Sequence, residues 1–181
     1  MKKDLLVFAA LLAGVALFLC FSDIQSVEDY YLLHIDDVTP ESETVTVSID
    51  CREVLQHLDE LDPALKNDVP ESGMLLAPTV YVLRPGDTAF DLLQRTVRHN
   101  HIQMEYQGAD ANVFGSAYVQ GIGYLYEFSC GPQSGWLFRV NGKFPTKGCS
   151  ACELKDGDVL EWVYTCSLDT WKAGTAVVEE K

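Results

Sequence analysis

Positive charge is scarce in this chain. Its 181 residues carry 13 Lys and Arg against 27 Asp and Glu, a formal net charge of −14 at pH 7. No basic stripe is available to neutralise phosphates, which excludes nucleic acid as a partner. Other absences narrow the chemistry further. Ser134 follows Pro132-Gln133 and precedes Gly135, so the GxSxG elbow of a hydrolase nucleophile is missing. Asp156-Gly157-Asp158 lacks the regularly spaced oxygens of a calcium loop and reads as a turn. His99-Asn100-His101 sits at an expected helix end, where cations suit the dipole, and His34 and His57 stand apart from it. There is one CxxC, Cys149-Ser150-Ala151-Cys152, and no second to complete a zinc pattern with Cys130 and Cys166. A thioredoxin-like site would need that motif to follow a strand and open a helix, whereas here it falls between two hairpins. The expectation is a protein without catalytic or metal residues and with no required cofactor.

The 48% apolar content suffices for one folded domain plus a targeting segment. Leu5–Phe21 is a charge-free run of 17 residues after Lys2 and Lys3. It reads as a signal peptide or membrane anchor over residues 1–22, with the rest of the chain outside the cytoplasm. Cleavage after the small residues near Ser22, retention as an anchor, and lipidation at Cys20 remain three readings. For lipidation, Leu19 stands where a small residue is needed. Residues 23–43 form an acidic linker and residues 169–181 an aperiodic tail.

Between them lies an alternation of short elements. Val45, Val47 and Ile49 alternate with polar residues, predicting a strand over Thr44–Cys51. Val54, Leu55, Leu58 and Leu61 at helical spacing predict a helix over Arg52–Leu61, ended by Pro63. Lys66–Pro78 reads as loop and Thr79–Leu83 as a strand. Pro85-Gly86-Asp87 turns the chain into a helix that Thr88 and Asp91 open as a capping box, with Ala89, Phe90, Leu93 and Val97 as its apolar stripe. Strands follow at Ile102–Tyr106, Ser116–Gln120 and Tyr124–Ser129, the last with Tyr124, Tyr126 and Phe128 on one face.

Cys130–Cys166 is the organising stretch, with four of the six cysteines and two of the three tryptophans. Trp136, Phe138 and Val140 alternate along a strand into Asn141-Gly142, a pair that tolerates the positive φ of a tight hairpin turn. Lys143–Pro145 would be a short return strand. Leu160, Trp162 and Tyr164 share one face of a strand over Val159–Thr165. One helix crossing a mostly antiparallel sheet makes the fold α+β rather than doubly wound.

The motifs Pro85-Gly86-Asp87-Thr88-Ala89-Phe90-Asp91, Gly121-Ile122-Gly123-Tyr124, Cys130-Gly131, Ser134-Gly135-Trp136, Arg139-Val140-Asn141-Gly142, Gly148-Cys149-Ser150 and Leu154-Lys155-Asp156-Gly157-Asp158, in this order, resemble the DUF4430 family. These are extracytoplasmic proteins of Gram-positive bacteria, similar to the C-terminal domain of transcobalamin and intrinsic factor. The resemblance covers Val45–Leu168, and Cys152 departs from it. It implies a β-grasp-like domain over residues 44–168 and a surface akin to the one that closes over cobalamin. A β-grasp sheet sets its first and last strands side by side and parallel, which suggests a Cys51–Cys166 disulfide. Cys130 and Cys149 flank the Trp136–Pro145 hairpin and form the second expected pair.

Two readings of the aromatic residues stay open. In one they pack beneath Phe90, Leu93 and Val97. In the other, Trp136 and Phe144 stay exposed and hold a flat or apolar ligand together with Asn141, while Gly131 and Gly135 let backbone approach it. The second gives the expected function: non-catalytic binding of a small molecule, a corrinoid or another transport substrate. The alternative is a cell-surface adaptor that contacts a transporter or another surface protein through the same hairpin.

Overall fold

A computed structural model describes residues 36–113 and 115–167. Strands β1 (Thr44–Asp50), β2 (Met74–Val82), β6 (Gly135–Val140) and β7 (Val159–Thr165) form one sheet in the order β2-β1-β7-β6. β1 and β7 run parallel, and the outer pairs β1·β2 and β6·β7 are antiparallel. A second, antiparallel sheet has the order β3-β4-β5, built from β3 (Met104–Gln107), β4 (Tyr118–Ile122) and β5 (Leu125–Tyr126). Among the described residues there is one α-helix, α1 (Ala89–His99). The class is α+β. The expected N-terminal segment 1–22, the linker as far as residue 35 and the tail 169–181 lie outside the described residues.

Register explains the core. Val47 faces Leu160 and Ile49 faces Trp162 across β1·β7. Across β6·β7, Trp136 faces Tyr164, Phe138 faces Trp162 and Val140 faces Leu160. Because side chains alternate along a strand, these residues share one face. Val47, Ile49, Leu160 and Tyr164 are fully buried there, each contributing roughly 1.5–3 kcal/mol by leaving water. The buried stripe of α1, Ala89, Phe90, Leu92, Leu93 and Val97, joins the same apolar cluster, as do Val119, Ile122 and Leu125 of the second sheet.

α1 starts where the sequence predicts. Thr88 Oγ1 accepts from the Asp91 amide at 3.2 Å, and Asp91 Oδ2 accepts from the Thr88 amide at 3.0 Å, a complete capping box. Arg95 fastens the helix to its surroundings by donating to Val82 O at 2.6 Å and to Asp87 Oδ2 at 2.7 Å.

Four expectations give way. The Arg52–Leu61 helix is a 3-10 turn, Arg52–Gln56, followed by irregular turns. Cys51 supplies no side-chain cap, and Leu61 leaves the helical path to bridge Cys130. A segment that short is marginal as a helix unless its apolar face is docked. β2 begins at Met74, inside the expected loop, and carries Pro78. Its edge position and the register break between Val47↔Thr79 and Ile49↔Leu76 accommodate a residue that cannot donate to the ladder. Tyr124–Ser129 forms only the two-residue β5, because Tyr124 and Phe128 take φ of 66° and 68° and turn out of strand geometry. They end 55% and 64% exposed, outside the strand that was to align them with Tyr126. The return strand Lys143–Pro145 reduces to one bridge, Val140↔Lys143. The turn before it is as expected, with φ of 53° at Asn141 and 75° at Gly142.

Candidate functional site

A cavity of about 440 Å³ opens where the two sheets meet. Its walls are residues 116–119 at the start of β4, residues 136–138 of β6, the segment 145–149 and Trp162 of β7. The aromatic wall is held in place by the sheet. Phe138 stacks on Trp162 with ring centroids 5.3 Å apart and planes 28° from parallel. Trp136 meets Tyr164 edge-on at 5.2 Å, and its Nε1 donates to Leu125 O at 2.8 Å. Tyr164 Oη in turn donates to Tyr126 O at 2.7 Å, so both large side chains of this layer are tied to the second sheet.

The opposite wall is held by a small polar lock. Ser116 Oγ and Ser150 Oγ lie 2.9 Å apart, and Ser150 Oγ also accepts from the Ala117 amide at 2.9 Å. Cys149 Sγ donates to Ala117 O at 3.1 Å. A Cβ on Gly148 would come within 2.2 Å of Ser116 Oγ, so only glycine lets the two backbones close. The segment continues to the helix start, where Ala89 N donates to Cys152 O at 2.9 Å and Leu154 N to Asp87 O at 3.0 Å. Tyr118 on the cavity wall donates to Glu127, and burial together with that carboxylate pushes its phenol up to about 12.

Of the five residues expected to bind a ligand, only Trp136 lines this cavity, and it is buried with 9% of its surface exposed. Asn141 spends its side chain on the fold: Nδ2 donates to Asp158 Oδ1 at 2.8 Å and Oδ1 accepts from the Val159 amide at 2.9 Å. Phe144 is half-buried beneath the Arg139 guanidinium, 5.9 Å from its ring centroid. Gly131 holds φ of 89° in the turn before Ser134, and a Cβ there would meet Glu60. Gly135 starts β6 opposite Thr165. The cavity lies at the base of the hairpin, and of the residues near its tip neither Asn141 nor Phe144 lines it. The missed wall, residues 145–149, carried a visible signal in Gly148-Cys149-Ser150, a motif with no strand or helix period of its own.

The cysteines also sit differently. Cys130 Sγ and Cys166 Sγ are 2.8 Å apart. In the β1·β7 register Asp50 faces Val163, so Cys51 falls opposite Tyr164, short of Cys166. Cys149 points to Ala117 O. The fold thus brings together Cys130 with Cys166, rather than the expected Cys51 with Cys166 and Cys130 with Cys149. Burial pushes the Cys149 thiol up to about 11, the opposite of an activated thiolate at a CxxC. Among the described residues no three His, Cys, Asp or Glu side chains gather as a metal site would need.

With the cavity and the 148–154 segment in place, the chain can be set beside known proteins. Residues 86–166 match DUF4430. That family is described as a domain of unknown function. The DUF4430 segment contains α1, the second sheet, β6, β7 and every wall of the cavity. No curated protein matches the chain. Among solved structures, a candidate metal-binding protein from Ruminococcus gnavus ATCC 29149 is similar at 10% identity and a TM-score of 0.40. The match covers 68% of this chain and 96% of that one. Haptocorrin, solved in complex with Cbi, is similar at 12% identity and a TM-score of 0.46, over 72% of this chain. The chain spans 27% of the haptocorrin chain.

Proposed function

We infer that residues 44–167 form an extracytoplasmic, non-catalytic binding domain of the β-grasp type, with a small ligand seated in the cavity between the two sheets. The observation that carries this reading is the cavity itself. Its volume of about 440 Å³ is within the range of small-molecule sites. Trp136, Phe138 and Trp162 give it an apolar, aromatic wall, and Lys147 and Thr146 stand at its exposed side. Such a mixture suits a flat, largely apolar molecule with polar groups at one edge. The DUF4430 resemblance makes a corrinoid the first ligand to try.

The test is a calorimetric and visible-absorbance titration of the full chain with cobalamin and cobinamide, beside a fluorescence titration with the aromatic dye 1-anilinonaphthalene-8-sulfonate. Saturable 1:1 binding is expected, weakened at least tenfold in Thr146→Trp, which fills the cavity from an exposed position and leaves the melting temperature unchanged. Absence of any signal from all three probes at ~100 µM, weaker than about −5.5 kcal/mol, would overturn the reading.

The adaptor reading has one specific support. Tyr124 and Phe128 are exposed on either side of β5, two large apolar side chains available for contact with a partner surface. A partner that still binds after Thr146→Trp and is lost in Tyr124→Ala would favour it.

A further inference from the structure

We propose that Cys130 and Cys166 form a buried disulfide that ties the end of β7 to the turn entering β6. The two sulfurs lie 2.8 Å apart, and a sub-ångström approach brings them to a bonding distance of about 2.05 Å. Both residues are held from several sides. Cys130 is fully buried and bridges Leu61, and its amide donates to Ser134 Oγ at 3.0 Å. Ser134 Oγ also lies 3.0 Å from Tyr164 Oη, which links the turn to β7 two residues before Cys166. The Cys166 amide donates to Glu53 Oε1 at 3.0 Å, and the Thr165 hydroxyl to the same oxygen at 3.2 Å. The pair therefore lies where the 3-10 turn after β1, the turn into β6 and the end of β7 converge. A bond there would link segments that backbone ladders join only at their margins.

The remaining described cysteines lack such a partner. Cys51 is fully buried beside Asp50, its amide donating to Gly73 O, and burial pushes its thiol up to about 12. Cys149 is committed to Ala117 O. Cys152 is part-exposed and close enough to Lys147 to sense its charge.

The oxidant is a small disulfide or the disulfide form of a thiol oxidoreductase. Cys166, the less buried of the two at 7% exposure, attacks one sulfur of that disulfide as its thiolate and expels the other as a thiol. Cys130 then attacks Cys166 Sγ and releases the second thiol. Two protein thiols are oxidised and one external disulfide is reduced to two thiols, with protons conserved. Burial, and after it the charges of Glu53 and Glu60 near the pair, disfavour thiolates, so the reduced protein reacts slowly and the closed bond is inert rather than catalytic.

Trypsin separates the alternatives. The full chain is equilibrated with excess oxidised glutathione, alkylated and digested without reductant. The expected product joins the peptide of residues 99–139, which holds Cys130, to that of residues 156–172, which holds Cys166. The melting temperature should then fall by roughly 10 °C on adding reductant, and Cys130→Ala should abolish that difference while Cys51→Ala keeps it. A link from the peptide ending at Arg52 to residues 156–172, a link from residues 99–139 to residues 148–155, or recovery of Cys130 and Cys166 both alkylated would overturn the proposal.

Discussion

Gly148 shows how one position can shape a cavity through the absence of a side chain. Its φ of −64° is open to any residue, so the need for glycine comes from space alone. A methyl group would strike Ser116 Oγ at 2.2 Å and Ser116 Cβ at 2.3 Å. Gly148→Ala is expected to destabilise the domain by about 1–3 kcal/mol in chemical denaturation and to displace the 145–149 wall. Ser116→Gly in the same chain should recover most of that loss by removing both struck atoms, a coupling a double-mutant cycle would measure. Gly148 was visible in the sequence only as part of a motif, because its steric partner lies 32 residues away. Asn141 teaches the converse. Its identity before Gly142 announced a positive φ, and the structure has it. Its side chain looked free for a ligand, yet both polar ends serve Asp158 and Val159 across the turn.

At the level of elements, those that need only a local pattern form where that pattern lies. α1 needs only the period of its apolar residues and the Thr88/Asp91 box, all within one stretch of chain, and Thr88→Ala should cost about 1 kcal/mol by leaving helix amides unpaired. Thermal or denaturant unfolding of that variant checks it. β1, β6 and β7 follow from strict alternation. Arg52–Leu61 has an equally good helical spacing and forms only a 3-10 turn, since Leu61 is drawn to Cys130 by a bridge that no local pattern encodes. β5 fails for a related reason: positive φ at Tyr124 and Phe128 goes with amides that donate to the distant Gln103 Oε1 and Ser134 O, each at 3.0 Å, and is not a preference of aromatic residues.

Over the whole molecule, the outer face of the four-stranded sheet carries a cluster of charge that predicts a pH response. Burial raises the Asp50 carboxyl, but hydrogen bonds from the Arg52 side chain and amide, with the charges of Arg52 and Arg139, outweigh it and hold Asp50 below its ordinary value. A depressed carboxylate stabilises the fold above the unfolded value of about 3.9, and that contribution is lost as pH falls through the lower folded value. The stability of the native chain should therefore drop below about pH 4. Asp50→Asn should be less stable by roughly 1 kcal/mol at neutral pH and show a shallower acid decline in denaturant midpoints measured from pH 7 to pH 2. Arg139 and Glu161, paired at 3.0 Å across β6·β7, belong to the same face. By itself the sequence determined the α+β class, the helix with its cap, the hairpin turn and which residues of β6 and β7 share a face, because each rests on periodicity or turn chemistry between near neighbours. Tertiary structure alone decided the cavity's place, the lock between Gly148 and Ser116, and the meeting of Cys130 with Cys166. Each of these depends on strand register and on contacts between distant segments, and a shift of one residue in register would undo them.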